Sequence, residues 1–305
     1  MVKKLVKLVV GLVVLLVAGV VAILLSIDGL SRRAVESAGT YVLGTPTTLG
    51  SMKIGLLSPG ASMSQLAVAN PAGFTDASFL TLGSGALALD APSLLSDVIR
   101  VPSIRLSAIR VSLEQKLEGS NATVLLDHMK QALGGSGGSS GGDSGGGRKL
   151  VVDELLIEDV QVTVRATGLP VASPPVTVTV KQIQLKSIGN GGKDPVGLNQ
   201  LTAMVVDAVL KAAMEAGAGQ MPEQLVKGVL GGLGGLKGQL PALEVAFDAG
   251  GGMKPLGDAL GKAGQEMQKA VGEKVGEATK KADEAVKDAA GKLEQGLGDL
   301  LKKKQ

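Results

Sequence analysis

The stretch IRLSAIRVSL, residues 104–113, combines the alternation of a β-strand with one interruption. Its apolar residues fall at 104, 106, 109, 111 and 113, so the steps are two, three, two and two. Residues 155–164, LLIEDVQVTV, repeat these steps, and residues 183–188 repeat the two-then-three step. Because strand side chains alternate between two faces, a three-residue step predicts a β-bulge that keeps the same face apolar on both sides of it. The repetition predicts a strongly curled sheet with one continuous apolar face.

This apolar face has two interpretations. The face is either the core of an ordinary half-buried sheet packed on its own helices, or the open inside of a curled sheet that holds lipid chains. The sequence pattern is the same in both cases. The opposite face is polar and is predicted to meet solvent; on the first strand it carries Arg105, Ser107, Arg110, Ser112 and Glu114.

Composition excludes several classes of protein. The net charge is +3 and aromatic residues make up 1% of the chain, which argues against the basic, aromatic surface of a nucleic-acid-binding protein. With no Cys and a single His, the common zinc sites and a Cys nucleophile are ruled out. No Ser-His-Asp set, nucleophile elbow or phosphate loop is present in the sequence. We therefore expect a protein that is not an enzyme and that has no cofactor and no metal.

The N-terminus predicts a membrane anchor over residues 1–27. Residues 8–25 carry no charge, and eighteen residues are just enough for a helix to cross a hydrocarbon layer of about 30 Å. Lys3, Lys4 and Lys7 precede this run, which places the N-terminus in the cytoplasm and the body of the protein on the other side. A cleaved signal peptide is the alternative, but "SIDGLSRR" has no clear cleavage site.

Between the anchor and residue 198 the sequence predicts a β domain with short helices. A short helix follows the anchor, residues 46–70 have the pattern of a hairpin with "SPGAS" at its turn, and residues 121–133 form a helix with Asn121 as its N-cap. The Gly/Ser-rich residues 134–147 are predicted to be a flexible loop inserted between strands.

Two helical regions complete the predicted organisation. Residues 199–250 are mostly helical in pattern, with glycines that weaken a helix but permit close packing, and residues 241–250 form a last strand or a turn. In residues 251–305 apolar residues recur every eleven positions, which favours a long amphipathic helix with a thin apolar stripe. This tail either binds a membrane surface, another helix or the sheet edge, or remains a solvated arm.

Several stretches together resemble the AsmA-like family. They are "GTPTTLGSMKIGLLSPGASMSQLAVANPAGF", "LGSGALALDAPSLLSDVIRVPSIRLSAIRVSLE", "SNATVLLDHMKQAL" and "LVVDELLIEDVQVTV", and the resemblance covers about residues 1–190. It implies a single-pass protein of the bacterial inner membrane that faces the periplasm. It also implies a curled, taco-like antiparallel sheet with an apolar groove, and a role in outer-membrane biogenesis and lipid transport. The tail after residue 250 is not part of this resemblance.

The expected function is to bind phospholipid acyl chains in this apolar groove. The alternative is a structural envelope protein with a closed sheet core, whose helical tail, residues 253–305, docks on a membrane or an envelope partner. The candidate groove residues are Met52, Ile54, Leu56, Leu66, Val68, Leu87, Leu89, Ile104, Leu106, Ile109, Val111, Leu155, Ile157, Val160 and Val162.

Overall fold

A computed structural model describes residues 28–55, 59–134, 148–167, 174–189, 192–236, 239–241 and 244–255. All of these lie in one unit, residues 1–256. The predicted anchor, the Gly/Ser loop from 135 to 147 and the eleven-residue repeats lie outside the described residues. Within the described ranges, no helix has the length and apolar character needed to span a membrane.

The strands form one open sheet, and the predicted mainly β fold with helices is confirmed. The strands are β1 (Thr47–Gly55), β2 (Gly60–Ala69), β3 (Ser78–Ala88), β4 (Val98–Lys116), β5 (Gly119–Ser120), β6 (Lys149–Ala166), β7 (Val176–Ile188), β8 (Glu244–Asp248) and β9 (Lys254–Pro255). The helices are α1 (residues 28–43), a 3₁₀ turn η1 (Ala91–Leu95), α2 (Asn121–Gly134), α3 (Leu198–Ala216) and α4 (Glu223–Gly234). The strand order is β1-β2-β3-β4-β6-β7-β8-β9, with β5 paired to β4.

One pairing differs from the antiparallel sheet predicted from the sequence. β4 and β6 run parallel, from the pair Val98 and Lys149 to the pair Gln115 and Ala166. Parallel neighbours need a crossover connection, and α2 with the residues that follow it supplies one. The predicted hairpin is confirmed as β1 and β2, and the strand predicted near 241–250 is β8.

The three-residue steps occur at the same level in six neighbouring strands. Directly on both sides of this level the residues pair in the same register, and at the level itself the pairing is interrupted. β2 and β3 shift register farther along, between Val68 and Ala69. The interrupted residues, which we call the break row, are Gly50, Gln65, Gly83, Ala108, Asp159 and Lys181. Three of them, in β2, β4 and β6, have a left-handed backbone with φ of 56°, 60° and 54°. The prediction of β-bulges at these steps is wrong, because a β-bulge sets two residues against one whereas here each of the six strands inserts one residue.

A second interruption lies six residues away in the central strands. It joins Pro102 of β4, Asp153 of β6 and Ser187 of β7, and Ser187 also has a positive φ, of 55°. The buried positions of β4 therefore step by three, two, three, two and two, from Val101 to Leu113. Each inserted residue returns the following side chains to the apolar face, so this face stays continuous along the strands.

Helix α1 lies along the free edge of β1, with side chains spaced four residues apart. Four residues of a helix rise about 6 Å, and two residues of a strand rise about 6.6 Å. Side chains four residues apart on α1 are therefore spaced like every second residue of β1. Three backbone N–H groups of β1 donate to these side chains. The Ile54 N–H donates to Asp28 Oδ1 (2.8 Å), and the Leu49 N–H donates to Glu36 Oε1 (2.8 Å). The Thr47 N–H donates to Thr40 Oγ1 (2.9 Å), and Arg32 Nη1 lies 3.5 Å from Gly50 O. Four backbone groups of this edge thus have partners, which hinders pairing with another strand at these positions.

Helices α2, α3 and α4 cover part of the apolar face. Helix α3 packs on β6 and β7, α2 packs on β4, and α4 packs on α2 and α3. The glycines of α4 permit this close approach, as the sequence predicts. A Cβ on Gly232 would lie 2.7 Å from Leu126 of α2, and one on Gly228 would lie 2.9 Å from Thr123.

The start of α2 corrects a prediction about its cap. Ser120 rather than Asn121 caps the helix, because Ser120 Oγ accepts a hydrogen bond from the Thr123 N–H at 3.1 Å. The Asn121 side chain is buried and joins separate segments instead. Its Oδ1 accepts from the Glu114 N–H (2.9 Å), and its Nδ2 donates to Asn70 Oδ1 (2.9 Å).

Glu114 is a second correction, since it was predicted to face solvent and is 2% exposed. The loop of residues 70–77 folds over the end of β4, and the carboxylate accepts hydrogen bonds from Thr75 N (2.7 Å), Thr75 Oγ1 (2.9 Å) and Thr167 Oγ1 (2.6 Å). Burial by itself raises the pKa of Glu114, but these hydrogen bonds and the nearby Lys116 outweigh it and lower the pKa overall. The ionised carboxylate therefore fastens this loop.

We expect Ala108→Val to lower the free energy of unfolding by about 1–3 kcal/mol, because a β-branched side chain is poorly tolerated at a positive φ. The close approach of Gly83, where a Cβ would lie 2.9 Å from Ala108 Cβ, leaves little room for adjustment. Ala108→Gly should stay within about 1 kcal/mol of the parent. Urea unfolding measures both. Ala86→Val on exposed strand surface is the control, and equal costs for the two valines would contradict the role of the break row.

We expect Glu114→Gln to destabilise the protein near pH 7 by about 1–3 kcal/mol, with the difference shrinking as the pH falls. A lowered pKa in the folded state stabilises the protein above the unfolded value of about 4.3, and this contribution is lost as the pH falls through the folded pKa. Urea unfolding between neutral and acid pH measures the effect. The control is Glu118→Gln at an exposed neighbouring position. A difference for Glu114→Gln that did not change with pH would show that its carboxylate charge is unimportant.

Candidate functional site

The structure divides the candidate groove residues into two groups. Nine are buried: Val68, Ile104, Leu106, Ile109, Val111, Leu155, Ile157, Val160 and Val162. Five are half-buried: Met52, Ile54, Leu66, Leu87 and Leu89. Leu56 lies outside the described residues. The buried group belongs mostly to β4 and β6, and the half-buried group belongs to β1, β2, the end of β3 and the residue just after β3, Leu89.

Strand register brings both groups onto one face. In one cross-strand row Met52 pairs with Met63, Met63 with Gly85, Gly85 with Leu106, Leu106 with Ile157 and Ile157 with Ile183. A second row joins Ile54, Ala61, Leu87, Ile104, Leu155 and Leu185 in the same way. The sequence-predicted residues therefore form one apolar surface that crosses the sheet from β1 to β7.

Exposure along the first of these rows rises toward the β1 edge. Ile157 is 0% exposed and Leu106 is 8% exposed, whereas Met63 and Met52 are half-buried. The difference arises because α2 and α3 pack on β4, β6 and β7. We call the half-buried residues Met52, Ile54, Met63, Leu66, Leu87 and Leu89 the half-buried patch.

Met63 belongs to this patch but is absent from the candidate list derived from the sequence. The signal that would have found it is the same as in the central strands. The apolar residues of β2 fall at 61, 63, 66 and 68, which is again two, three and two.

Gly85 marks the transition between the covered and the half-buried parts of the face. It is buried without a side chain of its own, and the side chains of its two row neighbours close over it. A Cβ at Gly85 would lie 2.9 Å from Met63 Cγ and 3.1 Å from Leu106 Cδ2. The apolar surface therefore has a depression at Gly85. The flexible Met63 side chain borders this depression on the side toward β1.

The opposite face of the sheet carries a depression of about 600 Å³. Serines from four strands lie in register across it, as Ser51, Ser64, Ser84 and Ser107, and Ser51 Oγ lies 2.7 Å from Ser64 Oγ. Lys53, Arg105 and Glu158 also line it. A surface of hydroxyl and charged groups suits polar molecules rather than acyl chains, which distinguishes it from the half-buried patch.

Few titratable groups in the described ranges are placed for chemistry. No group of three or more His, Asp or Glu side chains there is arranged to hold a metal ion. His128 is exposed on α2, where its ring meets Gly44 at the end of α1. Burial alone raises the pKa of Glu36, but the Leu49 N–H and Arg32 outweigh it and lower the pKa, which fits its role at the β1 edge.

The described part of the chain is thus a mainly β protein with an open mixed sheet, one apolar face of which is covered in part by helices. No protein-family model matches the chain, and neither does any curated protein. The AsmA-like resemblance therefore remains a prediction from the sequence motifs.

Proposed function

We propose that this is a non-catalytic, single-pass protein of the bacterial inner membrane that binds lipid acyl chains on the half-buried patch of its sheet. Its body lies in the periplasm, and it acts in outer-membrane biogenesis or lipid transport. The membrane placement is supported by the uncharged run at residues 8–25 and the lysines before it.

The proposal rests on one observation: helices cover one part of a continuous apolar face and leave another part of it partly accessible to solvent. The β4–β6–β7 part is covered by the protein's own helices, whereas the residues of the half-buried patch remain partly accessible. The patch consists of Met, Leu and Ile without a charged side chain among them. Partly accessible apolar surface gains free energy when an acyl chain replaces water on it, at about 25 cal/mol for each Å² buried.

The break row supports a curled shape for this surface. Residues with a left-handed backbone interrupt β2, β4 and β6 at the same level, so a curl of the sheet would be centred at this level. A curl toward the apolar face would bring Met63 and Leu87, on one side of the break row, toward Leu66 on the other side, around a bound chain. The half-buried Met52 and Met63 are side by side in register and can adapt to chains of different shape.

A second candidate is a structural envelope protein with a closed sheet core. It is favoured by the burial of nine candidate groove residues beneath α2, α3 and the neighbouring strands. In this alternative the half-buried patch is only the margin of the core. The tail from residue 253 onward then supplies the contact with a membrane or a protein partner.

We expect the purified full-length protein to retain phospholipid, detectable by lipid extraction and native mass spectrometry. Leu87→Glu should remove most of this lipid, because it places a charge in the half-buried patch. Ala86→Glu is the matched control, since Ala86 is the preceding residue of the same strand and is exposed on the opposite face. Circular dichroism and urea unfolding show whether each variant is folded.

Lipid in the parent and in Ala86→Glu, but not in folded Leu87→Glu, supports the proposed function. A lipid-free parent, or equal lipid in both variants, contradicts it and favours the structural alternative. Substitutions at Leu106 or Val162 are not suitable tests, because these side chains are 8% and 0% exposed and a charge there would unfold the core. If Leu87→Glu does not fold, Met52→Glu at the margin of the patch replaces it.

A further inference from the structure

The N-terminal segment enters the sheet at one defined end. Helix α1 runs antiparallel to β1, because Asp28 bonds to Ile54 near the last residue of the strand and Thr40 bonds to Thr47 at its first. Asp28, the first described residue after the predicted anchor, is therefore adjacent to the end of the sheet at which β1 finishes. We call this the proximal end; it contains Gly55, Gly60, Ala88, Val98 and Lys149.

The proximal end carries the most exposed large apolar side chain of the described residues. Leu95 in η1 is 91% exposed. This turn also begins with Ala91 and Pro92, both exposed, and Leu94 is half-buried beside Leu95. An almost fully exposed Leu side chain offers apolar surface that gains free energy when it leaves water, at about 25 cal/mol for each Å² buried.

The turn that presents Leu95 is held firmly in place. Asp90 Oδ2 accepts a hydrogen bond from the Ser93 N–H (3.3 Å), and Arg148 Nη1 donates to Leu94 O (2.6 Å). The preceding residue Leu89 donates its N–H to Pro59 O (3.1 Å), which ties η1 to the turn between β1 and β2. Leu95 is therefore presented outward by a fixed turn rather than by a loose loop.

We propose that the proximal end docks on the lipid surface of the membrane that holds residues 1–27, with Leu95 inserted among the acyl chains. This inference rests on the membrane attachment in the proposed function. It adds an orientation, because the strands then stand with the β1–β2 turn and η1 toward the bilayer. Ile54, Leu87 and Leu89 of the half-buried patch lie at this same end, so the patch opens directly onto the membrane.

The charges around η1 indicate how this contact works. The basic Arg148 and Lys149 at the start of β6 lie beside the acidic Asp97, whose carbonyl accepts the Lys149 N–H at 3.1 Å. Charges of both signs on the same rim give little net attraction to an anionic surface. Docking therefore depends on apolar insertion, and it should change little with salt concentration or with the fraction of anionic lipid.

The test uses the full chain in vesicles of phosphatidylethanolamine and phosphatidylglycerol. Since the sequence has no Cys, a single cysteine can carry an environment-sensitive fluorophore at a chosen site. Leu95→Cys is labelled at the proximal end. Leu117→Cys is the matched control, because Leu117 is 71% exposed and directly follows the other end of β4. β4 has 19 residues and would extend about 60 Å if it were straight, so the two labels are far apart. Phospholipid with a nitroxide on its acyl chain is the quencher.

We expect several-fold stronger quenching for the label at Leu95 than for the label at Leu117, with a blue-shifted emission only for the former. Quenching that is equal at both sites, stronger at Leu117 or absent from both overturns the proposal, as does failure of the chain to float with vesicles. Ala91→Cys on the same turn replaces Leu95→Cys if circular dichroism shows that the latter is misfolded. Lipid extraction is measured separately, so a docked protein without bound lipid would refute only the binding of acyl chains to the half-buried patch.

Discussion

The structure depends on a constraint that acts across six strands at once. A strand that inserts one left-handed residue sends its following side chains to the other face, so a neighbour without the insertion would lose register or apolar continuity. Here each neighbour inserts a residue at the same level, and Gln65, Ala108 and Asp159 supply the positive φ in alternate strands. Glycine at 83 leaves space for Ala108, and the apolar face continues unbroken on both sides of the break row.

Different contacts are found at the β1 edge and at the two ends of this sheet. At the β1 edge, side chains of α1 satisfy the backbone, and at the distant end of β4 the ionised Glu114 and the buried Asn121 fasten loop and helix to the strand. The β4–β6–β7 region is a conventional core of buried apolar side chains under α2 and α3. The half-buried patch and the exposed Leu95 lie toward the opposite end, where α1 begins. Stability and the proposed lipid contacts therefore occupy separate parts of one face.

Sequence periodicity predicted the elements better than their partners. The slipped strands, the hairpin, the helix from residue 121 and the last strand all follow from local patterns. The parallel pairing of β4 with β6 could not, because it depends on which strand edge is free after the crossover. Glu114 was assigned to solvent because alternation reports a face, and the loop of residues 70–77 that buries its end of the strand is distant in sequence. The sequence predicts Asn121 to be an N-cap, because its partners Glu114 and Asn70 come together only in the folded protein and cannot be recognised from the sequence.

By itself, the sequence determined that one apolar face runs through all the long strands, because strand alternation and its interruptions are local properties of the backbone. It also determined which residues compose most of that face, from Met52 in β1 to Val162 in β6. The tertiary structure decided which of them are accessible. Leu155 and Leu87 lie in the same cross-strand row, yet Leu155 is buried beneath the sheet's helices and Leu87 is only half-buried. Whether a residue of this face is accessible depends on helices that are distant from it in sequence. Only the packing of these helices in the tertiary structure determines it.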